Sequence, residues 1–422
     1  MQSNMDNSEE IFKGKVERME TAAAGKEPDR VPIGIATTYF PAKYAGVSYE
    51  DMFYDNNKYI EVGVKFARDF NWDAVSLHRS FESVPLGLAL AGYDADLAIF
   101  VAVNSVLGGG ASHDILGDVY SSNPGRELGS NGESQFTIKS QVMNADEYDL
   151  LIEKPFDFLM ETVIPRAYKN LANKSSPTAV GALLKMGQEV AKFPGFLGDF
   201  VGKMKQEAWL PYYYALAPNP LDFIGAFLRD FDTLSLDLYR TPEKVKKACE
   251  TLAPVLAAVG KMTGKISLDV TGSRRVFCPI WYNTYLSPEK FKEFHFPYIK
   301  QIVNELVEAD FTPLMSFQGR SDHLLEILKE LPAGKVIMWF DKTDLVKARE
   351  VLGDKYCLAG GIPSSLLIGG TPEKVRQHTE ELINNLKGNG SFIVSSEFNG
   401  MGDAKVENVK AMTETVRKLG NY

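Results

Sequence analysis

From residue 310 onward the chain alternates short apolar runs with longer stretches whose apolar residues recur at helical spacing. This βα alternation narrows the possible folds more than any other feature. Strands are expected at 312–317, 335–340, 356–359 and 391–395, and helices over 321–330, 344–352, 372–386 and 406–419. Parallel strands joined by helices close into a barrel or a doubly wound sheet. The first part repeats the scheme, with strands at 31–36 and 74–77 flanking a helix over 49–70. Residues 146–264 read as a mostly helical elaboration and 1–28 as a helical lead-in, so one domain is expected over 1–422.

Three segments, Thr241-Pro242-Glu243-Lys244, Ser287-Pro288-Glu289-Lys290 and Thr371-Pro372-Glu373-Lys374, share a helix-start signature. In each a hydroxyl can cap, proline suits the first turn and glutamate complements the positive helix end. Their irregular spacing argues against a domain repeat.

Composition removes other classes. With 45% hydrophobic and 24% charged residues the chain can bury a large core. The net charge of −9 comes without a block of Lys and Arg, which argues against a nucleic-acid or anionic-membrane surface. Cys249, Cys278 and Cys357 are too few and too far apart for a disulfide framework, and the polar start MQSNMDNSEEIFKGK lacks a signal-peptide core. A cytoplasmic protein is expected. The apolar stretch 84–110 is interrupted by Asp94 and Asp96, falls short of a membrane span and reads as buried barrel wall plus a loop.

In a βα barrel the reacting groups sit at the carboxyl ends of strands. The polar residues that end each apolar run are therefore the candidates. His78, Arg79 and Glu82 follow the second strand; Ser316 and Gln318 end the strand at 312–317; Asp341 ends the next; Glu397 and Asn399 end the last. His78, Glu82 and Glu397 are candidate acids, bases or metal ligands. Tyr39, Arg79, Trp281, Tyr282, Ser316, Gln318, Asp341 and Asn399 are candidate substrate contacts. Each has a bland reading as well: a hydrogen-bonded core histidine, a surface Glu82–Arg79 pair, an Asp341 that caps a helix, aromatics that are wall. The aromatic loop Cys278-Pro279-Ile280-Trp281-Tyr282-Asn283 would suit a flat substrate. Neither Gly108-Gly109-Gly110 nor Gly360-Gly361 makes a phosphate loop. His113 lacks the DxHxxG context of a corrinoid domain, with Ala111 where the aspartate would stand and Gly117 one position late, so cobalamin would arrive on a partner protein or bind by other means.

The carboxyl half, through Asp341-Lys342-Thr343-Asp344, Leu358-Ala359-Gly360-Gly361-Ile362-Pro363, Gly370-Thr371-Pro372-Glu373 and Phe392-Ile393-Val394-Ser395-Ser396, resembles the uroporphyrinogen decarboxylase superfamily. Asp29-Arg30-Val31-Pro32-Ile33 and Leu286-Ser287-Pro288-Glu289 are similar to that family too. The resemblance implies a distorted (β/α)8 barrel, and either porphyrinogen decarboxylation or methyl transfer involving a corrinoid protein. The true decarboxylases carry an RQAGR-like segment after the first strand whose arginines hold substrate carboxylates; here the stretch from Thr37 to Gly46 has none. The zinc methyltransferases show HxCG at a late strand end and another cysteine near the last strand. This chain has Ser316-Phe317-Gln318-Gly319 and Glu397 there, so zinc would need an unusual set such as Glu397 with His78. The expectation is a methyltransferase that moves a methyl group between a small methylated ether or amine and cobalamin on a separate protein. A decarboxylase or lyase acting on a non-porphyrin substrate is the second reading, and a non-catalytic binding barrel the third. A homodimer is compatible with either enzyme reading.

Overall fold

The computed structural model describes residues 2–37, 39–77, 79, 82–98, 109–139, 141–398 and 400–422. Eight short parallel strands form the frame: β1 (Gly34–Ala36), β2 (Ala74–Ser76), β3 (Ala215–Leu216), β4 (Arg275–Ile280), β5 (Thr312–Phe317), β6 (Ile337–Phe340), β7 (Cys357–Ile362) and β8 (Phe392–Ser396). Strands β3 to β8 pair in sequence order, and β1 pairs with β2. Two contacts close the ring. Ile33, just before β1, bridges to Val394 within β8. On the other side Val75 N–H donates to Leu210 O at 2.8 Å, and Ser76 exchanges hydrogen bonds with Tyr213 just before β3. The fold is a distorted α/β barrel of the TIM type.

Bulky side chains fill the barrel, as closure around eight strands requires. Trp339 is fully buried, packs its ring 5.3 Å from that of Tyr212, and donates its indole N–H to Ser396 O. Gly34 makes room for this plug, because a Cβ there would stand 2.7 Å from the Tyr212 ring. Gly360 lies inside β7 at φ +129°, where a Cβ would meet Phe340 O at 2.4 Å. Gly360 thus marks a close strand approach, while a Cβ at Gly361 would meet the Leu382 side chain at 2.6 Å.

The amino-terminal end of the barrel is tied by charge. Buried Asp73, just before β2, accepts from Arg18 Nη1 at 2.8 Å, Arg30 Nη2 at 2.7 Å and Ile33 N at 2.9 Å. Arg275, at the start of β4 and 0% exposed, donates to Tyr212 O, Pro211 O and Glu20 Oε1.

The helices over 372–386 and 406–419 stand where expected, and all three Thr/Ser-Pro-Glu-Lys segments start helices. Ser287 and Thr371 accept the expected cap bonds; Thr241 makes none. Four expectations change. The helix over 49–70 is two, Tyr49–Tyr54 and Asn56–Phe70, because Asp55 leaves the helical conformation and caps the second. The helix over 321–330 shrinks to a 3-10 turn at Asp322–Leu324 followed by Leu325–Leu328. The aromatic loop begins only at Trp281, since Arg275–Ile280 is a strand despite Pro279, which lacks a ladder donor. The stretch read as barrel wall opens with a helix, Val84–Ala91. Among the described residues no helix is long and apolar enough to cross a membrane.

Candidate active site at the carboxyl mouth

A cavity of about 550 Å³ opens at the carboxyl ends of the strands. Its floor and walls come from the loops after β2 (Arg79, Glu82), β4 (Trp281, Thr284, Tyr285), β5 (Gln318, Gly319) and β8 (Phe398), with Tyr39 following β1. A two-stranded antiparallel ribbon, Ser121–Ser122 with Gln135–Phe136, and the segment from Gly225 to Phe231 roof it. Among the described residues six rings line it: Tyr39, Phe136, Phe231, Trp281, Tyr285 and Phe398.

Glu82 is fully buried, and its Oε1 accepts from Ser112 Oγ at 2.6 Å while Tyr168 OH donates to its backbone carbonyl. Arg79 is 2% exposed, gives Nη1 to Asn56 Oδ1 at 2.8 Å and lays its guanidinium 3.8 Å from the centre of the Tyr59 ring. Burial lowers its pKa to about 10, so it is charged at neutral pH. Gly109 is pressed against Phe53 O and Arg79 Nη1, which leaves no space for a side chain. Tyr39 OH accepts from Ser134 N–H at 2.6 Å, which ties the ribbon to β1, and burial pushes its phenol up to about 12.

Asp341 does not line the cavity. It sits behind the wall, accepting from Phe398 N–H at 3.0 Å, and burial raises its carboxyl to about 6, with the neighbouring Glu397 charge adding to the rise. Trp281 is set by a buried dyad. Asp222 Oδ1 accepts the backbone N–H groups of Trp281 and Tyr282 at 2.9 and 2.8 Å, and its Oδ2 pairs with His295 Nε2 at 3.0 Å.

Of the candidates read from sequence, Tyr39, Arg79, Glu82, Trp281 and Gln318 are gathered here. Ser316 and Tyr282 are fully buried outside the lining, Tyr282 because its hydroxyl turns back to Ser235 and Phe231 O. Glu397 is half-buried beside Phe398 and does not line the cavity either. His78 and Asn399 lie outside the described residues. His113, considered for a corrinoid motif, is a structural cation: Nδ1 meets Asp118 Oδ2 at 2.6 Å and Nε2 meets Glu127 Oε1 at 3.1 Å. Sequence reading missed Ser121, Asn123, Glu133, Phe136, Asp230, Phe231 and Phe398 in the lining. The Gly-, Ser- and Asn-rich run 121–134 was a signal for a loop, though not for one that folds over the mouth.

Zinc with three protein ligands needs a converging donor set. Among the described residues no three His, Cys, Asp or Glu side chains make one, and all three cysteines are buried outside the cavity lining. The described residues do not fit a zinc centre, and no step through one is derived.

The family model described as uroporphyrinogen decarboxylase matches residues 222–419. Uroporphyrinogen decarboxylase of Neisseria meningitidis is 28% identical over 200 residues, 46% of this chain and 54% of that protein. The Chlorobium phaeovibrioides enzyme is 27% identical over 137 residues, 32% of this chain and 38% of the relative. The matched stretches thus span between about a third and about half of those relatives. A methyltransferase from Methanosarcina mazei shares the fold, with a TM-score of 0.62 at 12% identity over 96% of this chain and 98% of that one. The sequence match to the uroporphyrinogen decarboxylase family runs through β4 to β8, just under half of the chain, and the fold is shared with the Methanosarcina mazei protein over nearly all of it.

Proposed function

We propose that the chain is a methyltransferase that takes a methyl group from a small methylated ether or amine and passes it to the cobalt of a corrinoid carried by a separate protein, which is the acceptor substrate. One observation carries the reading: the cavity is lined by six aromatic rings and, among the described residues, a single arginine. A porphyrinogen with eight carboxylates would meet almost no countercharge there, whereas a small, partly apolar methyl donor finds walls that match it. The Methanosarcina mazei protein, named a methyltransferase, supports the choice through its fold.

Methyl transfer breaks the carbon–heteroatom bond with its electron pair left on the heteroatom. An alkoxide or amide is a poor leaving group, so that atom needs a proton. Glu82 is the acid we assign, being a buried carboxyl in the lining and oriented by Ser112. Tyr39 and Gln318 hold the donor, and Trp281, held by Asp222, packs on its apolar face. His78 and Glu397 are left without a step.

The test is single-turnover methylation of cob(I)alamin, followed by its visible spectrum, across a panel of methylated ethers and amines. Methylcobalamin is expected, and Glu82→Gln should slow its formation by about 10²–10⁴ while donor binding stays near wild type. Wild-type protein that methylates nothing and instead releases CO₂ from a carboxylated substrate would move the assignment to a lyase.

A further inference from the structure

Arginine pairs with carboxylates through a fork in which the parallel Nε–H and Nη2–H bonds meet two oxygens. This protein fills that fork repeatedly. Arg18 holds Asp29 with both bonds at 2.6 Å, Arg126 holds Asp114 at 2.8 and 2.6 Å, and Arg229 holds Asp237 at 2.7 and 3.2 Å. Arg79 differs in leaving both fork atoms buried and unpaired, which no other arginine does among the described residues. Its Nη1 is taken by Asn56, but Nε and Nη2, the two atoms of the fork, are buried with no hydrogen-bond partner among the described residues. A buried cation with unmade bonds is costly, and native proteins keep such groups where a ligand completes them. Arg79 also lines the cavity.

We infer that the methyl donor carries a carboxylate, which Arg79 receives through Nε and Nη2. The inference rests on the methyl-transfer reading and narrows its substrate class to small, partly apolar carboxylic acids bearing an ether or amine methyl group. In the ligand-free chain the fork is shielded from solvent, so the carboxylate reaches it as the Arg79 side chain turns within the cavity, off the Tyr59 ring. Asn56 keeps Nη1 and acts as the hinge. Glu82 follows the same strand, β2, three residues further on, and lines the same cavity, so the proton donor and the anchor come from one strand end.

The experiment is calorimetric titration of the full chain with three acid–amide pairs: benzoate and benzamide, phenylacetate and phenylacetamide, propionate and propionamide. At least one acid should bind about tenfold or more tightly than its amide. Arg79→Met should erase that preference. Arg79→Lys retains the charge without the fork and should lose most of it, which keeps the inference testable if the methionine variant does not fold. Equal binding of acid and amide in every pair, an acid preference unchanged in Arg79→Lys, or chloride competing as well as the acids would overturn it. The two readings fail separately. Acid preference without cobalamin methylation removes the methyl-transfer assignment alone; methylation of neutral donors without acid preference removes this inference alone.

Discussion

Two buried arginines stand at opposite ends of the same barrel. Arg275, at the amino-terminal end, is 0% exposed and spends its donors on Glu20 and two backbone carbonyls. Arg79, at the carboxyl mouth, is 2% exposed and its side chain has one hydrogen bond among the described residues. Both cost desolvation, but only the first is repaid inside the chain. The bottom of the barrel is a finished piece of structure, and the mouth is left open at the positions where a ligand would complete it. The carboxylates differ in place: Asp73 is tied at the amino-terminal end by Arg18, Arg30 and a backbone amide, whereas Glu82, held by Ser112, lines the cavity.

If the contrast holds, Arg275→Met should be the most damaging change. It orphans Glu20 and two carbonyls, and urea unfolding should show a loss of ~3–5 kcal/mol. The ribbon over the mouth supplies the next effect. Burial opposes the charge on His113, but the hydrogen bond and charge of Asp118 outweigh it and raise the pKa to about 9. The folded value lies above the unfolded ~6.5, so the stabilisation is full below pH 6.5 and is lost as pH rises through 9, at most ~3 kcal/mol. His113→Gln should flatten that slope in unfolding curves taken from pH 6 to 10.

Asp341 gives a smaller effect of the opposite kind. Its folded pKa of about 6 lies above the ordinary carboxyl value, so ionisation weakens the fold as pH rises through that window. Asp341→Asn keeps an oxygen for Phe398 N–H and should be more stable than wild type at pH 8 by ~1 kcal/mol, with the difference gone at pH 4. The smallest change is expected for Arg79→Met. It removes one hydrogen bond and a ring contact together with an unrepaid charge, and the unfolding free energy should move by less than ~1 kcal/mol. A loss comparable to that of Arg275→Met would erase the contrast between the two ends.

The second half of the barrel was legible because its strands are uninterrupted apolar runs and its helices carry caps; the strand at 312–317 and the helices at 372–386 and 406–419 need no revision. β4 was hidden by Arg275 at its start and Pro279 near its end, and β3 is only two residues long. At the mouth, strand-end logic found Arg79, Glu82, Trp281 and Gln318, because position along a strand fixes them there. It also chose Ser316, Tyr282 and Glu397, which sit at the right height and point elsewhere; side-chain direction at a strand end depends on the neighbouring loop. The ribbon residues Ser121, Asn123 and Phe136 carry no pattern of their own, since their place over the cavity is set by the Tyr39–Ser134 bond and the His113 cluster.

The central claim is that the open mouth is a methyl-transfer site anchored by Arg79. It is tested most directly by single-turnover methylation of cob(I)alamin with 4-methoxybenzoate and 4-(dimethylamino)benzoate, each beside its amide. Methylcobalamin from at least one acid, formed at least about tenfold faster than from its amide and lost in Arg79→Met, is the predicted result. No methylcobalamin from any of the four, or equal rates from acid and amide, would contradict it.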